Sequence, residues 1–323
     1  MSKFLVALTF IFGLIIQMSC QKDKLVSFDE STLTVQKLSE YGIYQGNPLD
    51  LIPTNDFKPY EISSQLFTDY AEKQRLIKVP EGAKLSASTN GLLNFQEGTI
   101  LVKTFYYFKN KQNPGAGKKL IETRILELRQ GKWVAGTYLW NDSQTDAVLI
   151  NTGFKKTVNW IDESGNGKAI SYQIPSNLEC RTCHNVNKDV QPIGPKVRNL
   201  NMDVVRNNTT INQLNYFHNE GILEPLNIAA FSSMPNYNDV TKTIEQRARA
   251  YLDVNCAHCH NETGFASGKR YRMSYETDLN ASKIQEGKAS IIYKMERGEM
   301  PKLGTTVVDQ KGLELIKEYL ETL

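Results

Sequence analysis

The chain has 323 residues, long enough for two or three modest domains. A hydrophobic content of 40% with 23% charged residues excludes a disordered chain. A formal charge of only +3, without a long basic run, gives no basis for nucleic-acid binding.

The first residues read as a targeting segment. Lys3 supplies a positive start, and Phe4 to Ile16 is apolar apart from Thr9 and Gly13. That stretch is too short to span a bilayer and fits a signal-peptide core. Gln17-Met18-Ser19-Cys20 then places a small residue before a lone cysteine, as at a bacterial lipoprotein cleavage site. Gln17 stands where leucine is usual, which leaves ordinary cleavage as the alternative. The expectation is a signal peptide over residues 1–19 and lipidation at Cys20. The mature chain is then exported and anchored by lipid alone, at the periplasmic face or the outer surface of the outer membrane. Residues 20–50 read as linker and lead-in, opening on a short charged tag, Gln21 to Lys24.

Residues 51–175 carry a mainly β pattern. Thr99 to Phe108 is rich in β-branched and aromatic residues, and a polar Gly/Pro loop follows from Asn110 to Gly117. Leu120 to Leu128 and Lys132 to Trp140 flank Arg129-Gln130-Gly131, a hairpin signal. Asn141-Asp142 marks a turn, and Ala147 to Ile150 predicts a further short strand. An antiparallel sandwich or small barrel fits this pattern. Trp133, Trp140 and Trp160 all lie here, and core packing explains them better than a stacking platform for a sugar or quinone.

From about residue 176 the pattern turns helical. The fold class is therefore α+β, an antiparallel β domain followed by a mainly helical region. That region divides into a first cofactor-binding segment over 176–240 and a second over 241–323. Thr243 to Asn255 places Ile244, Ala248, Tyr251 and Leu252 on one helical face. A second helix near Ala289 to Arg297 stops at Gly298. A last helix runs from Gln310 to Leu323, with Asp309 as N-cap and Leu313, Ile316, Leu320 and Leu323 as its apolar stripe.

Every cysteine after Cys20 falls in one of two Cys-x-x-Cys-His runs: Cys180-Arg181-Thr182-Cys183-His184 and Cys256-Ala257-His258-Cys259-His260. This is the attachment signature of c-type haem, in which two thiols add to the vinyl groups and the histidine ligates iron. Two covalently bound haem c groups are expected, on Cys180, Cys183, Cys256 and Cys259, with His184 and His260 as iron ligands. Two alternatives compete. Paired disulfides suit an exporting chain but leave the histidines unexplained, and zinc ribbons space their pairs by only about 15–20 residues.

Distal ligands are a second question. Met300, in Gly298-Glu299-Met300-Pro301, follows the second run by one helix and is the expected partner of His260. Met295, inside the preceding helix, is better explained by packing. For His184 the candidates are Met234, His218 and Met202, in that order, with an open position as the remaining case. The loop Gly194-Pro195-Lys196 is expected to offer a carbonyl to the His184 ring N–H. Arg198, Arg247 and Arg249 are the arginines nearest the runs. His258, inside its motif, reads as an exposed side chain.

Longer blocks carry a resemblance. They are Ser64 to Tyr70, Lys103 to Tyr107, Leu139 to Ala147, Gln191 to Asn201 and Arg247 to Asn261. Together they resemble an exported bacterial family of di-haem c-type cytochromes, from about residue 38 to the C-terminus. The resemblance implies haem at both runs and Met300 as a ligand, but does not fix methionine at 234. It implies a class I cytochrome c-like C-terminal region. It also implies a partner, an exported parallel β-helix protein encoded nearby. The function expected is electron transfer with an exported redox partner. A di-haem peroxidase or oxidase acting at an open first haem is one alternative. A surface lipoprotein whose β domain docks a glycan or protein is another.

Overall fold

The computed structural model describes residues 33–323; the apolar leader and Cys20 lie outside the described residues. A six-stranded antiparallel sheet forms the centre. Its strands are β1 (Lys58–Pro59), β2 (Glu72–Lys78), β5 (Ile100–Phe108), β6 (Lys118–Arg129), β7 (Lys132–Trp140) and β8 (Ala147–Ile150), in the order β1-β2-β5-β6-β7-β8. Between β2 and β5 lies the small hairpin of β3 (Ser86–Ala87) and β4 (Leu93–Asn94). After β8 comes the hairpin of β9 (Phe154–Ile161) and β10 (Gly167–Ile174). The expected hairpin between β6 and β7 closes through Gln130 and Gly131, with φ of 51° and 71°. Two consecutive positive φ values give the tight turn that matches strand twist.

The sheet stays open, neither barrel nor sandwich, because both of its faces are covered by other segments. One face packs Leu76, Val102, Ile125 and Val134 against Leu33, Leu38, Ile43, Leu51 and Phe57 from the lead-in. The other face carries two apolar clusters. Ile77, Leu101, Trp133 and Ala135 meet Val190, Val197, Leu214 and Phe217. Phe105, Tyr107 and Ile121 meet Val158, Trp160 and Tyr172 of the β9–β10 hairpin. Trp133, Trp140 and Trp160 are 6%, 2% and 6% exposed, so none offers an open stacking face.

Beyond residue 175 the chain is mixed rather than purely helical. Helices α1 (Asn177–Cys183), α2 (Val197–Leu200) and α3 (Gln213–Asn219) alternate with two hairpins. The first joins β11 (Asn185–Val186) to β12 (Asp189–Val190), and the second joins β13 (Asp203–Arg206) to β14 (Thr209–Asn212). Asn-Lys and Asn-Asn turns at positive φ, 187–188 and 207–208, make these hairpins. The C-terminal part is helical: α4 (Ile244–Asn255), α5 (Leu279–Ser282), α6 (Lys288–Glu296) and α7 (Gln310–Glu321). Thr243 and Gln246 form a capping box on α4, and the Asp309 side chain caps α7 through the Gly312 N–H. Ala248, Tyr251 and Leu252 of α4 pack with Leu313, Ile316 and Leu320 of α7 and with Met295, which is 7% exposed. No helix among the described residues is long and apolar enough to cross a membrane.

Candidate functional site

The first run is delivered by α1. Ser176 accepts from the Glu179 N–H while the Glu179 carboxylate accepts from the Ser176 N–H, so this seven-residue helix starts at a fixed point. Cys180 and Cys183, three apart, share one helical face. Cys180 is buried against β7, its Sγ 3.7 Å from Thr137 Oγ1. His184 caps the helix, and its Nδ1 lies 2.8 Å from the Gln191 carbonyl. Nδ1–H is therefore the donor, which leaves the Nε2 lone pair for a metal. The supporting carbonyl does not come from the expected Gly194-Pro195-Lys196 loop, where the Gly194 oxygen accepts instead from Lys196 N–H and Asn199 Nδ2. Burial pulls the His184 imidazole down to about 3, with Lys103 and Arg124 adding to the effect.

The second run leaves the end of α4. Cys259 and His260 N–H groups both donate to the Cys256 carbonyl, which winds the motif into a tight turn. Asn261 locks it: Nδ2 donates to the Ala257 carbonyl at 2.7 Å, and Oδ1 accepts from Thr263 and Gly264 N–H. A Cβ on Gly264 would sit 2.7 Å from the carbonyls of His258 and Cys259, so only glycine fits there. Burial pushes the Cys256 thiol up to about 12 and lowers the His260 imidazole. His260 Nδ1 is buried without a hydrogen-bond partner among the described residues.

The two runs meet. Ligand atoms of Cys183, His258 and Cys259 lie within 4.8 Å of one another, although residues 185–255 separate the motifs. The Cys183 thiol donates to Cys259; that bond raises the Cys183 pKa and lowers that of Cys259. His258 is thus half-buried at the junction of the motifs, not the exposed side chain expected of it.

One loop holds this junction together. In residues 64–70, Ser64 N–H donates to Asn199 Oδ1, and Ser64 Oγ donates to the Pro235 carbonyl. Phe67 N–H donates to Asn255 Oδ1 at 2.8 Å, next to Cys256. The Asp69 carboxylate accepts from Thr306 N–H, Thr306 Oγ1–H and Val307 N–H, on the loop that carries Met300.

The distal candidates occupy different settings. Met300 is half-buried, and Lys302 Nζ lies 5.4 Å from the Phe265 ring, which brings its loop against the segment after His260. Met234 is 3% exposed yet belongs to none of the four apolar clusters; its N–H donates to the Arg198 carbonyl at 2.7 Å. Met202 is half-buried. His218 is exposed, with Nδ1 3.1 Å from the Leu223 carbonyl, and lines a cleft of about 230 Å³. Neither that cleft nor one of about 290 Å³ near Arg249 is lined by residues of either motif.

All three arginines singled out in the sequence are engaged within the chain. Arg198 pairs with Asp253 at 2.6 Å and with Glu276. Arg247 donates to the Tyr237 carbonyl, and Arg249 donates to the carbonyls of Ser274 and Thr277.

The donor types in each run are those a covalently attached haem c would need. Each run places two thiols beside a half-buried imidazole, and His184 already holds the tautomer that ligation needs. No protein-family model matches the sequence, and neither a curated protein nor a solved structure matches it.

Proposed function

We propose that this chain is an exported di-haem c-type cytochrome that carries electrons. The observation that supports this reading is the convergence of two Cys-x-x-Cys-His runs distant in sequence, with Cys183 and Cys259 in contact range. Cys180 and Cys183 would hold one haem and Cys256 and Cys259 the other, with His184 and His260 as ligands. Each iron, once bound, supplies a one-electron couple set by its axial ligands. Burial keeps both imidazoles neutral, as ligation requires. Met300 is the candidate distal ligand of the second site. On this reading, the succession of α4, motif, α5, α6, methionine loop and α7 would correspond to the order of a small class I cytochrome c. Met234, buried outside the apolar clusters, is the candidate for the first. Lipid anchoring at Cys20 and an exported redox partner, such as a parallel β-helix protein, belong to the same reading. If the His184 site stays open, a peroxidase or oxidase activity follows instead, and carbon monoxide binding by the reduced protein would reveal it.

A second reading rests on the same geometry. Two thiols and an imidazole within 4.8 Å would also hold a soft cation such as zinc. One experiment separates the two. Thioether-linked haem survives denaturation, whereas a coordinated ion does not. The denatured, purified protein should carry the added mass of two haems. A chain of unmodified mass that releases zinc would overturn the cytochrome reading.

A further inference from the structure

The sheet face beneath the first run carries a row of cations. Arg75 on β2 stands directly opposite Lys103 on β5, Lys103 opposite Arg124 on β6, and Arg124 opposite Thr137 on β7. Thr137 touches Cys180, so the row ends at the motif. Directly opposed side chains sit about 5 Å apart at Cβ, and like charges so placed repel. The row also lies between the two apolar clusters of that face, where an unpaired charge is costly.

Among the described residues, Arg124 is the one of the three cations in a salt bridge with a carboxylate. Arg124 makes a two-pronged pair with Glu122, at 2.9 and 2.6 Å. Arg75 is 5% exposed, and among the described residues it donates to the Gln65 amide oxygen at 3.4 Å. Lys103 has no acidic partner among the described residues; its Nζ rests 4.9 Å from the Phe105 ring centre. Burial and then the neighbouring Arg75 and Arg124 depress the Lys103 pKa well below its usual value. Among the described residues no carboxylate is hydrogen-bonded to Arg75 or Lys103, so an anion bound between those two would turn their repulsion into attraction.

We infer that Arg75 and Lys103, flanked by Arg124, form a binding site for a carboxylate group beside the Cys180–His184 run. The inference rests on the proposed haem at that run when the carboxylate is a haem propionate. A free organic acid is the other source of the same chemistry. Arginine supplies a fork of donors to a carboxylate and lysine a point charge, so the two together fix both position and sign.

The test uses the full holoprotein and the variants Lys103→Met, Lys103→Arg and Arg75→Gln. Three readouts are needed: covalent haem count by mass, the redox-difference infrared spectrum in the carboxylate region, and acetate titration by calorimetry. If a propionate fills the site, carboxylate bands shift in Lys103→Met and Arg75→Gln and return in Lys103→Arg, and acetate shows no saturable binding. If a free acid fills it, the wild type binds acetate saturably and Lys103→Met weakens that binding tenfold or more. Identical bands in all four di-haem proteins, with no acetate binding, would overturn the site. A chain lacking covalent haem overturns the cytochrome reading alone; acetate binding lost in Lys103→Met then upholds the site, and no binding sinks it.

Discussion

Asp69 concentrates the local constraints of this chain. Its backbone and that of Tyr70 both lie at positive φ, 51° and 64°, a conformation that non-glycine residues seldom adopt. Its carbonyl accepts from Tyr107 OH at 2.5 Å, and its carboxylate accepts from Thr306 and Val307. Burial nevertheless raises the carboxyl pKa, with the bonds from Thr306 opposing the shift. The folded state therefore binds the Asp69 proton more tightly than the unfolded state does. Stability from that proton is fully present below the ordinary carboxylate value of about 4 and is lost as pH rises through the folded pKa. Denaturation of wild type and Asp69→Asn across pH 3 to 7 should show the wild-type advantage greatest at the acid end and shrinking upward. A constant difference would mean that Asp69 titrates as it does unfolded. At this scale the motif cysteines and histidines are legible in the sequence because their pattern is local. Arg75, Lys103, Thr137 and Gly264 are not, since each takes its meaning from a residue brought close by folding.

Helix α7 depends on a close approach to α4. A Cβ at Gly312 would fall 2.3 Å from the Tyr251 ring, well inside contact distance. Alanine is favoured over glycine in a helix interior by about 1 kcal/mol, but overpacking of this kind costs about 1–3 kcal/mol. The clash should win, and Gly312→Ala should lower the denaturant midpoint. A raised midpoint would show that Tyr251 moves aside freely. Helices α4, α6 and α7 could be read in advance because a cap, an apolar stripe or a stop marks each, as Thr243, Leu313 and Gly298 do. Helix α1 carries an equally readable Ser176–Glu179 box, but seven residues give too few turns for a periodic stripe. The hairpins at 185–190 and 203–212 lack the glycine that usually advertises a turn, using asparagine and lysine at positive φ instead.

For the whole molecule, the decisive fact is topological. The sheet brings α1 to β7, and the loop at 64–70 ties residues 199, 235, 255 and 306 to one another. Nothing in the spacing of the two Cys-x-x-Cys-His runs announces that they meet, because the loop at 64–70 that holds the junction lies outside both. On the di-haem reading, their meeting predicts that the two haems act as a coupled pair. Circular dichroism of the holoprotein should show a split Soret band. Preventing attachment at one run with Cys180→Ala plus Cys183→Ala should abolish the splitting and leave a simple band. An unsplit band in a protein that carries both haems would contradict that coupling.

The burial of Cys180 against Thr137 bears on how the protein is made. Burial raises the pKa of that thiol and pushes Cys256 up to about 12, which leaves little thiolate to react once the chain has closed. On the di-haem reading, attachment must come first and folding second. The finished sheet then seals chemistry already completed, and the chain's biosynthesis has a fixed order of events.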